Sequence, residues 1–252
     1  MSRHPSPRNW LSFARIGAIA LLRLRRITRT RLALAAVVLV MLPWALVDSP
    51  SLLTRLASLA EFTLVGATAI GAGALGDDID SGEYAIVMTH DAAPVEVLAG
   101  QWVASLTAAL VLVALQLPIA FGRITTPPVT AILICLGWLA ALLAGWMALM
   151  LLLATVIEGR GNALAMVTVF LLPPIAASGL LDGLPSTAAQ VIRALVRLLP
   201  QLTDATTMFG SVLGRARPPA LTPIVLLASP FLYFTLASLR LHRIEPAGRL
   251  TQ

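Results

Sequence analysis

Six long apolar stretches limit what this chain can fold into. A helix needs roughly 20 apolar residues to cross a bilayer core of about 30 Å. The stretches that approach or reach this length are Leu32–Val47, Leu56–Leu75, Trp102–Phe121, Val129–Ile157, Asn162–Leu181 and Leu221–Leu239. The first is short and the fourth is long enough that it must tilt, kink or protrude. The sequence therefore predicts an all-α polytopic membrane protein with six transmembrane helices.

The composition agrees with this class and excludes several others. Hydrophobic residues make up 58% of the 252 residues and charged residues only 12%, against about 45–50% and about 25% in soluble domains. All 18 of its Lys and Arg residues are arginine. A P-loop requires a lysine that reaches the nucleotide phosphates, so no standard P-loop ATPase lies on this chain. The single cysteine, Cys135, excludes a disulfide framework and a cysteine-rich metal site.

The distribution of arginine predicts the orientation. Twelve of the 18 arginines fall on the side that holds both termini, and eight of these precede the first span. Cytoplasmic loops carry the excess of positive charge. We therefore expect a multi-pass protein of the plasma or inner membrane with both termini in the cytoplasm. Residues 32–240 form one transmembrane domain in this interpretation, and residues 241–252 form a cytoplasmic tail.

Residues 1–31 have the pattern of a basic amphipathic helix. One side holds apolar or small residues at helical spacing, namely Trp10, Phe13, Gly17, Ala20, Leu24 and Ile27. The other side holds Arg8, Arg15, Arg26 and Arg29. Such a helix lies in the membrane interface with its arginines toward anionic head groups. The alternative is a basic, partly disordered tail that only sets the topology.

The predicted cytoplasmic segment between spans two and three, residues 77–91, is acidic and contains no arginine. Its candidate site residues are the carboxylates Asp77, Asp78, Asp80 and Glu83 and the apolar side chains of Tyr84, Val87 and Met88. The three apolar residues have the spacing of one helix face. An acidic rim around an apolar ridge indicates docking on a partner protein. The alternative is that the carboxylates cap helix starts and keep a short loop soluble.

Two polar residues within the predicted spans are further candidates. Glu61 is the only acidic residue well inside a span, and a carboxyl at that depth is a functional candidate by default. Alternatively, Glu61 reaches the outer interface or pairs with Arg55. Gln116 is suited to hydrogen bonding across helices. No second intramembrane charge supports a proton relay.

Familiar catalytic and cofactor motifs are absent or misplaced. The stretch Gly71–Gly76 matches G-x-G-x-x-G, but these glycines close an apolar helix instead of opening one after a strand. Together with Gly66 they indicate close helix packing. The histidines His4, His90 and His242 are too scattered for a zinc site. We expect no enzyme activity and no cofactor on this chain.

The predicted outer segment before the last span contains a second amphipathic pattern. After Pro185, the apolar residues at helical spacing are Val191, Ile192, Leu195, Leu198 and Leu199. Arg193 and Arg197 lie elsewhere on the helix, and Pro200 ends it. The helix either packs on the outer membrane face or folds partly back into the bundle. The alternative is a surface helix that merely connects two spans.

The order of these features resembles the ABC-2-type transporter permeases. The matching stretches are "GDDIDSGEYAIVMTHDAAPVEVLAGQW" (residues 76–102) and "SGLLDGLPSTAAQVIRALVRLLPQLTDATTMF" (residues 178–209). The first resembles the family's sequence of acidic residues, apolar stretch and proline before span three. It departs from the family in having Glu83 where threonine is usual and Ala-Pro where Ser-Pro is common.

The resemblance implies that the transport path and the ATPase lie on separate subunits. The helix near Ser81–His90 would be a coupling helix that docks on a separate ATPase subunit through the acidic residues and Tyr84. That partner would bind ATP and Mg²⁺. The Ser186–Leu199 helix would cap the translocation path. A second permease copy, as a homodimer or heterodimer, would complete the path, in contact with membrane lipid and without nucleic acid.

Two other functions remain open from the residues alone. One is a non-transporting membrane protein of assembly or immunity, which needs no docking loop. The other is an ion-coupled secondary carrier that uses Glu61. An intramembrane enzyme is a third class, but no nucleophile–base pair supports it.

Overall fold

A computed structural model describes residues 12–47, 51–71, 93–122, 124, 128–157, 171, 185–199, 201–215 and 217–248. All regular structure in these ranges is helical. The helices are α1 (Phe13–Arg29), α2 (Arg31–Met41), α3 (Leu52–Gly71), α4 (Pro94–Phe121), α5 (Val129–Val156), α6 (Ser186–Leu198), α7 (Leu202–Val212) and α8 (Leu221–Gly248). A 3₁₀ turn, Leu42–Leu46, follows α2.

Four of the predicted spans correspond to long apolar helices. These are α3, α4, α5 and the Leu221–Leu241 part of α8, whose mean hydropathies range from 1.3 to 2.3. Each has the length and composition to cross a membrane. The architecture is therefore an all-helical one with several candidate spans, as expected of a multi-pass membrane protein.

The first predicted span belongs to a broken helix pair. From Arg31 to Leu46, α2 and its 3₁₀ turn rise about 26 Å, which is less than the bilayer core. A bend of 69° separates the Ala33–Leu46 part from α1, and the pair counts as one more candidate span only when the two parts are taken together.

The predicted span Asn162–Leu181 lies outside the described residues apart from Leu171. The described part of the chain thus contains four or five candidate spans, where the sequence predicts six.

Thr30 forms the bend between α1 and α2. Its backbone is extended, with φ −85° and ψ 150°. Its hydroxyl donates to the Ile27 carbonyl at 2.7 Å, and the same oxygen accepts from the Ala33 N–H at 3.4 Å. One side chain therefore closes α1 and caps the start of α2.

The largest apolar cluster lies where α3, α4, α5 and α7 meet. It includes Leu59, Leu142, Leu143 and Phe209, all with 0% exposure. The most extensive helix pairings are α5 with α8 and α1 with α4. Helix α1 is therefore attached to the bundle and does not extend away from it.

Helix α7 is not among the helices that the sequence predicts. It begins with a capping box, in which the Gln201 N–H donates to Asp204 Oδ2 at 3.4 Å. It ends near Gly214, whose φ of +70° is in the left-handed region that favours glycine. Phe209 on this helix enters the main apolar cluster. This part of the segment after Pro185 therefore packs on α3 and α5.

The glycine at position 66 brings three helices together. A Cβ added there would lie 2.5 Å from Val40 Cγ1 of α2 and 2.8 Å from Leu112 Cδ1 of α4. The expected close packing is thus present at Gly66. Small residues allow such an approach between helices in lipid.

We expect Gly66→Ala to lower the free energy of unfolding by about 1–3 kcal/mol, because the added methyl overpacks the contact with Val40. Gly137→Ala on α5 is the matched control, since a Cβ there has no neighbour within 4 Å and alanine is the better helix former. Thermal unfolding of both variants in the same detergent measures the difference. An equal loss in both would contradict the packing role of Gly66.

Candidate functional site

The carboxylate of Glu96 joins the first turns of two helices. Its Oε2 accepts from the Ala93 N–H at 3.0 Å, which caps α4. Its Oε1 accepts from the Ser12 N–H at 2.7 Å, and Ser12 is the N-cap residue of α1. Glu96 is only 2% exposed. The start of α1 is therefore fastened to the start of α4 by one buried side chain.

The surroundings of Glu96 favour a negative charge. A guanidinium nitrogen of Arg15 lies 3.8 Å from Oε2, and the Arg15 side chain is 53% exposed. The N-terminal ends of α1 and α4 add partial positive charge. A buried carboxylate needs such partners, because burial without them is costly.

Glu96 is not among the candidate site residues predicted from the sequence. The relevant signal is Ala93-Pro94-Val95-Glu96, which places proline at the first helical position and glutamate at N3, where it can reach back to the cap. The structure begins α4 at Pro94. The second partner, Ser12, is 84 positions away, and no local pattern indicates that contact.

Helix α1 packs on α4 through a face that differs from the predicted apolar stripe. Ala20 and Ile27 are buried, but Phe13 of the same stripe is 87% exposed. Ile19, which lies outside the stripe, fits against Gly100, where an added Cβ would be 2.6 Å from Ile19 Cγ2. The packing face is therefore rotated around the helix. Two features of α4 explain this rotation. Gly100 leaves space for Ile19, and Glu96 binds the start of α1.

Gln116 bonds across three chain segments. It is 0% exposed, and its Oε1 accepts from Trp44 Nε1 at 2.9 Å. Its Nε2 donates to Thr63 Oγ1 at 2.9 Å and to the Leu112 carbonyl at 2.9 Å. These bonds link the 3₁₀ turn after α2, helix α3 and helix α4. The arrangement satisfies the amide and positions helices, and it presents no reactive group.

Arg55 and Glu61 lie on different faces of α3. Arg55 is 5% exposed and donates to the Ala120 carbonyl at 2.9 Å. Glu61 is exposed, and it has no salt bridge to any residue that the structure describes. The alternative in which Glu61 pairs with Arg55 is therefore wrong.

The residues predicted to dock a partner lie outside the described ranges. These are Asp77, Asp78, Asp80, Glu83, Tyr84, Val87 and Met88. The structure describes the helices on either side, since α3 ends at Gly71 and α4 begins at Pro94. The Glu96 anchor therefore lies in the first described turn after this segment.

Within the two predicted amphipathic ranges, the structure describes α1 at Phe13–Arg29 and α6 at Ser186–Leu198, and residues 1–11 lie outside the described residues. In α6, Ala189 and Val196 are buried while Val191 is 59% exposed. The described residues contain no group of three or more His, Cys, Asp or Glu side chains placed to hold a metal ion.

Comparison of the chain with models of known protein families gives no match, and comparison with curated proteins gives no match either.

We expect Glu96→Gln to loosen α1 from the bundle. The amide keeps one acceptor oxygen, so one of the Ser12 and Ala93 N–H groups loses its partner, at a cost of about 1–3 kcal/mol. Hydrogen exchange of the α1 amides should become faster, and the thermal unfolding temperature in detergent should fall. Glu61→Gln, an identical change at an exposed position, should alter neither. Unchanged α1 exchange in Glu96→Gln would contradict the anchor.

Proposed function

We propose that the chain is the membrane-spanning subunit of an ATP-binding-cassette transporter of the ABC-2 type, and that it acts as an exporter. The observation that carries the proposal is the connection at Glu96. The acidic segment 77–91 leads within a few residues into the first turn of α4, and that turn is bonded to the first turn of the basic helix α1. A movement that a partner imposes on the acidic segment would thus reach both α4 and α1 directly.

The absence of lysine supports a separate energy source. An ATP-driven transporter without a P-loop of its own takes ATP hydrolysis from another subunit. In the proposed cycle, ATP binding closes the partner dimer, and the docked segment 77–91 shifts. Helix α4 moves with the segment, and α1 follows because its start is held by Glu96. The shift changes the balance between inward-open and outward-open states only through contacts that differ between them.

A second permease copy completes the translocation path in this proposal. The chain has exposed apolar side chains along its candidate spans, among them Leu133 on α5 and Phe231 on α8, which are 62% and 76% exposed. Lipid or a second copy covers such surfaces in a membrane. The single chain alone therefore presents faces on which a dimer can form.

We expect replacement of two docking carboxylates by arginine to abolish association with the ATPase. Asp77/Asp80→Arg reverses charge on the acidic rim, and like-charge contacts at an interface cost several kcal/mol. The measurement is co-purification of a P-loop ATPase, identified by mass spectrometry, with ATPase activity in the eluate.

Asp48/Asp182→Arg is the control for that experiment, because it makes the same change of charge in segments predicted to lie outside. It should retain the ATPase. Retention by the Asp77/Asp80→Arg variant would refute the docking site. A wild-type chain that purifies with no ATPase would refute the proposed function.

The proposed orientation has a separate test. Reporter fusions after Thr125 and after Gly214 should report an outside location, and a fusion after Asp91 should report the cytoplasm. The physical reason is the excess of arginine on the terminal side. The reversed pattern would place segment 77–91 away from any cytoplasmic ATPase.

A further inference from the structure

We propose that the end of α1 binds the phosphodiester headgroup of an anionic phospholipid. A groove with a volume of about 400 Å³ opens there, lined by Leu22, Arg25, Arg26, Arg29 and Thr30. Small-molecule sites commonly start at about 300 Å³. The lining residues of α1 recur at intervals of three and four, so they share one side of the helix.

The groove concentrates donors that suit a phosphate. Arg25 and Arg29 are exposed, and the described part of the chain gives neither guanidinium a carboxylate partner. The fork of a guanidinium matches two phosphate oxygens. The Thr30 hydroxyl already donates to Ile27, so the arginines supply the charge and the hydrogen bonds.

The apolar part of the groove favours a lipid over a free phosphate. Leu22 forms one wall and is 66% exposed, and the neighbouring Leu21 is 51% exposed. Immediately after the groove, the chain bends by 69° into the apolar α2 segment. The arginines therefore directly precede an apolar segment, and headgroups of anionic lipids attract basic side chains in such a position. An acyl chain beside the groove would cover Leu22, whereas inorganic phosphate would leave it exposed.

The proposed site involves fewer residues than the sequence-based prediction, in which arginines along the whole helix face lipid. Arg15 is bound to Glu96 and does not line the groove. Arg25, which is not part of the predicted basic side, does line it. The site does not depend on the transport function proposed above, since lipid binding and ATPase association are measured separately.

The test uses the full chain in detergent, titrated with dioleoyl phosphatidylglycerol and followed by native mass spectrometry. We expect Arg25→Gln/Arg29→Gln to bind this lipid roughly 30-fold more weakly, which follows from two arginine–lipid attractions. Arg193→Gln/Arg197→Gln on α6 is the matched control, with the same spacing and the same loss of charge, and should bind within about twofold of wild type. Arg25→Lys/Arg29→Lys keeps the charge but removes the guanidinium forks, so its affinity should lie between those of the glutamine pair and of wild type.

Three results would overturn the proposal. An equal loss in the α6 variant would show a general effect of charge. Displacement of the lipid by millimolar inorganic phosphate would assign the site to a free anion. Equal binding of dioleoyl phosphatidylcholine would remove the requirement for an anionic lipid. The elution volume on size-exclusion chromatography and the hydrogen-exchange rate of the α1 amides identify a misfolded variant. If the glutamine pair is misfolded, the lipid affinity of Arg25→Lys/Arg29→Lys decides the test.

Discussion

Buried polar side chains in the described helices take their hydrogen-bond partners from other helices, as a chain in hydrocarbon would have to do. Gln116 takes its partners from Trp44 and Thr63, and Arg55 uses a carbonyl at the end of α4. Hydrogen bonds between helices in membranes contribute only about 0.6 kcal/mol on average. An unsatisfied polar group in the same place costs several times more. These bonds therefore select one arrangement of helices more than they stabilise it.

Helix α3 is central to that arrangement. Its Gly66 admits α2 and α4, and its Gly71 lies against Met150 of α5. Thr68 accepts from Trp146 Nε1 at 3.0 Å, which links α3 to α5 a second time. Lipid tails are as apolar as leucine, so helices in a bilayer gain little from apolar burial alone. Close fit at small residues supplies the association and a few directed bonds fix the arrangement, and α3 has both.

The sequence predicts four of the candidate spans, because length and hydropathy are local properties. It also predicts a helix at α1, since the amphipathic period is local. It does not predict which face of α1 packs, because that depends on Gly100 and Glu96 in a distant segment. Helix α7 has local signals, with Gln201 and Asp204 at its start and a glycine after its end. These polar and glycine signals lie at the ends of the helix, so the apolar pattern of the segment does not reveal them.

Glu61 and Glu96 show that the position of a residue within an apolar stretch does not determine its burial in the fold. Glu61 lies in the middle of an apolar stretch, yet its side chain is exposed on the surface of α3. Glu96 lies at the edge of the next stretch, yet it is 2% exposed because α1 covers it. A carboxylate that is buried by another helix holds that helix in place. A carboxylate that merely falls within an apolar run has no such effect.

That difference bears on how a force would pass from segment 77–91 into the bundle. A solvated carboxylate can exchange its partners at little cost, so it transmits no movement. Glu96 is bonded to both helices, so separating α1 from α4 would break its hydrogen bond to the Ser12 N–H and its ion pair with Arg15, and charge-assisted hydrogen bonds are the stronger kind. These bonds couple the first turns of α1 and α4. Under the proposed function, a partner that displaces the start of α4 would also displace α1, and with it the groove at Arg25 and Arg29.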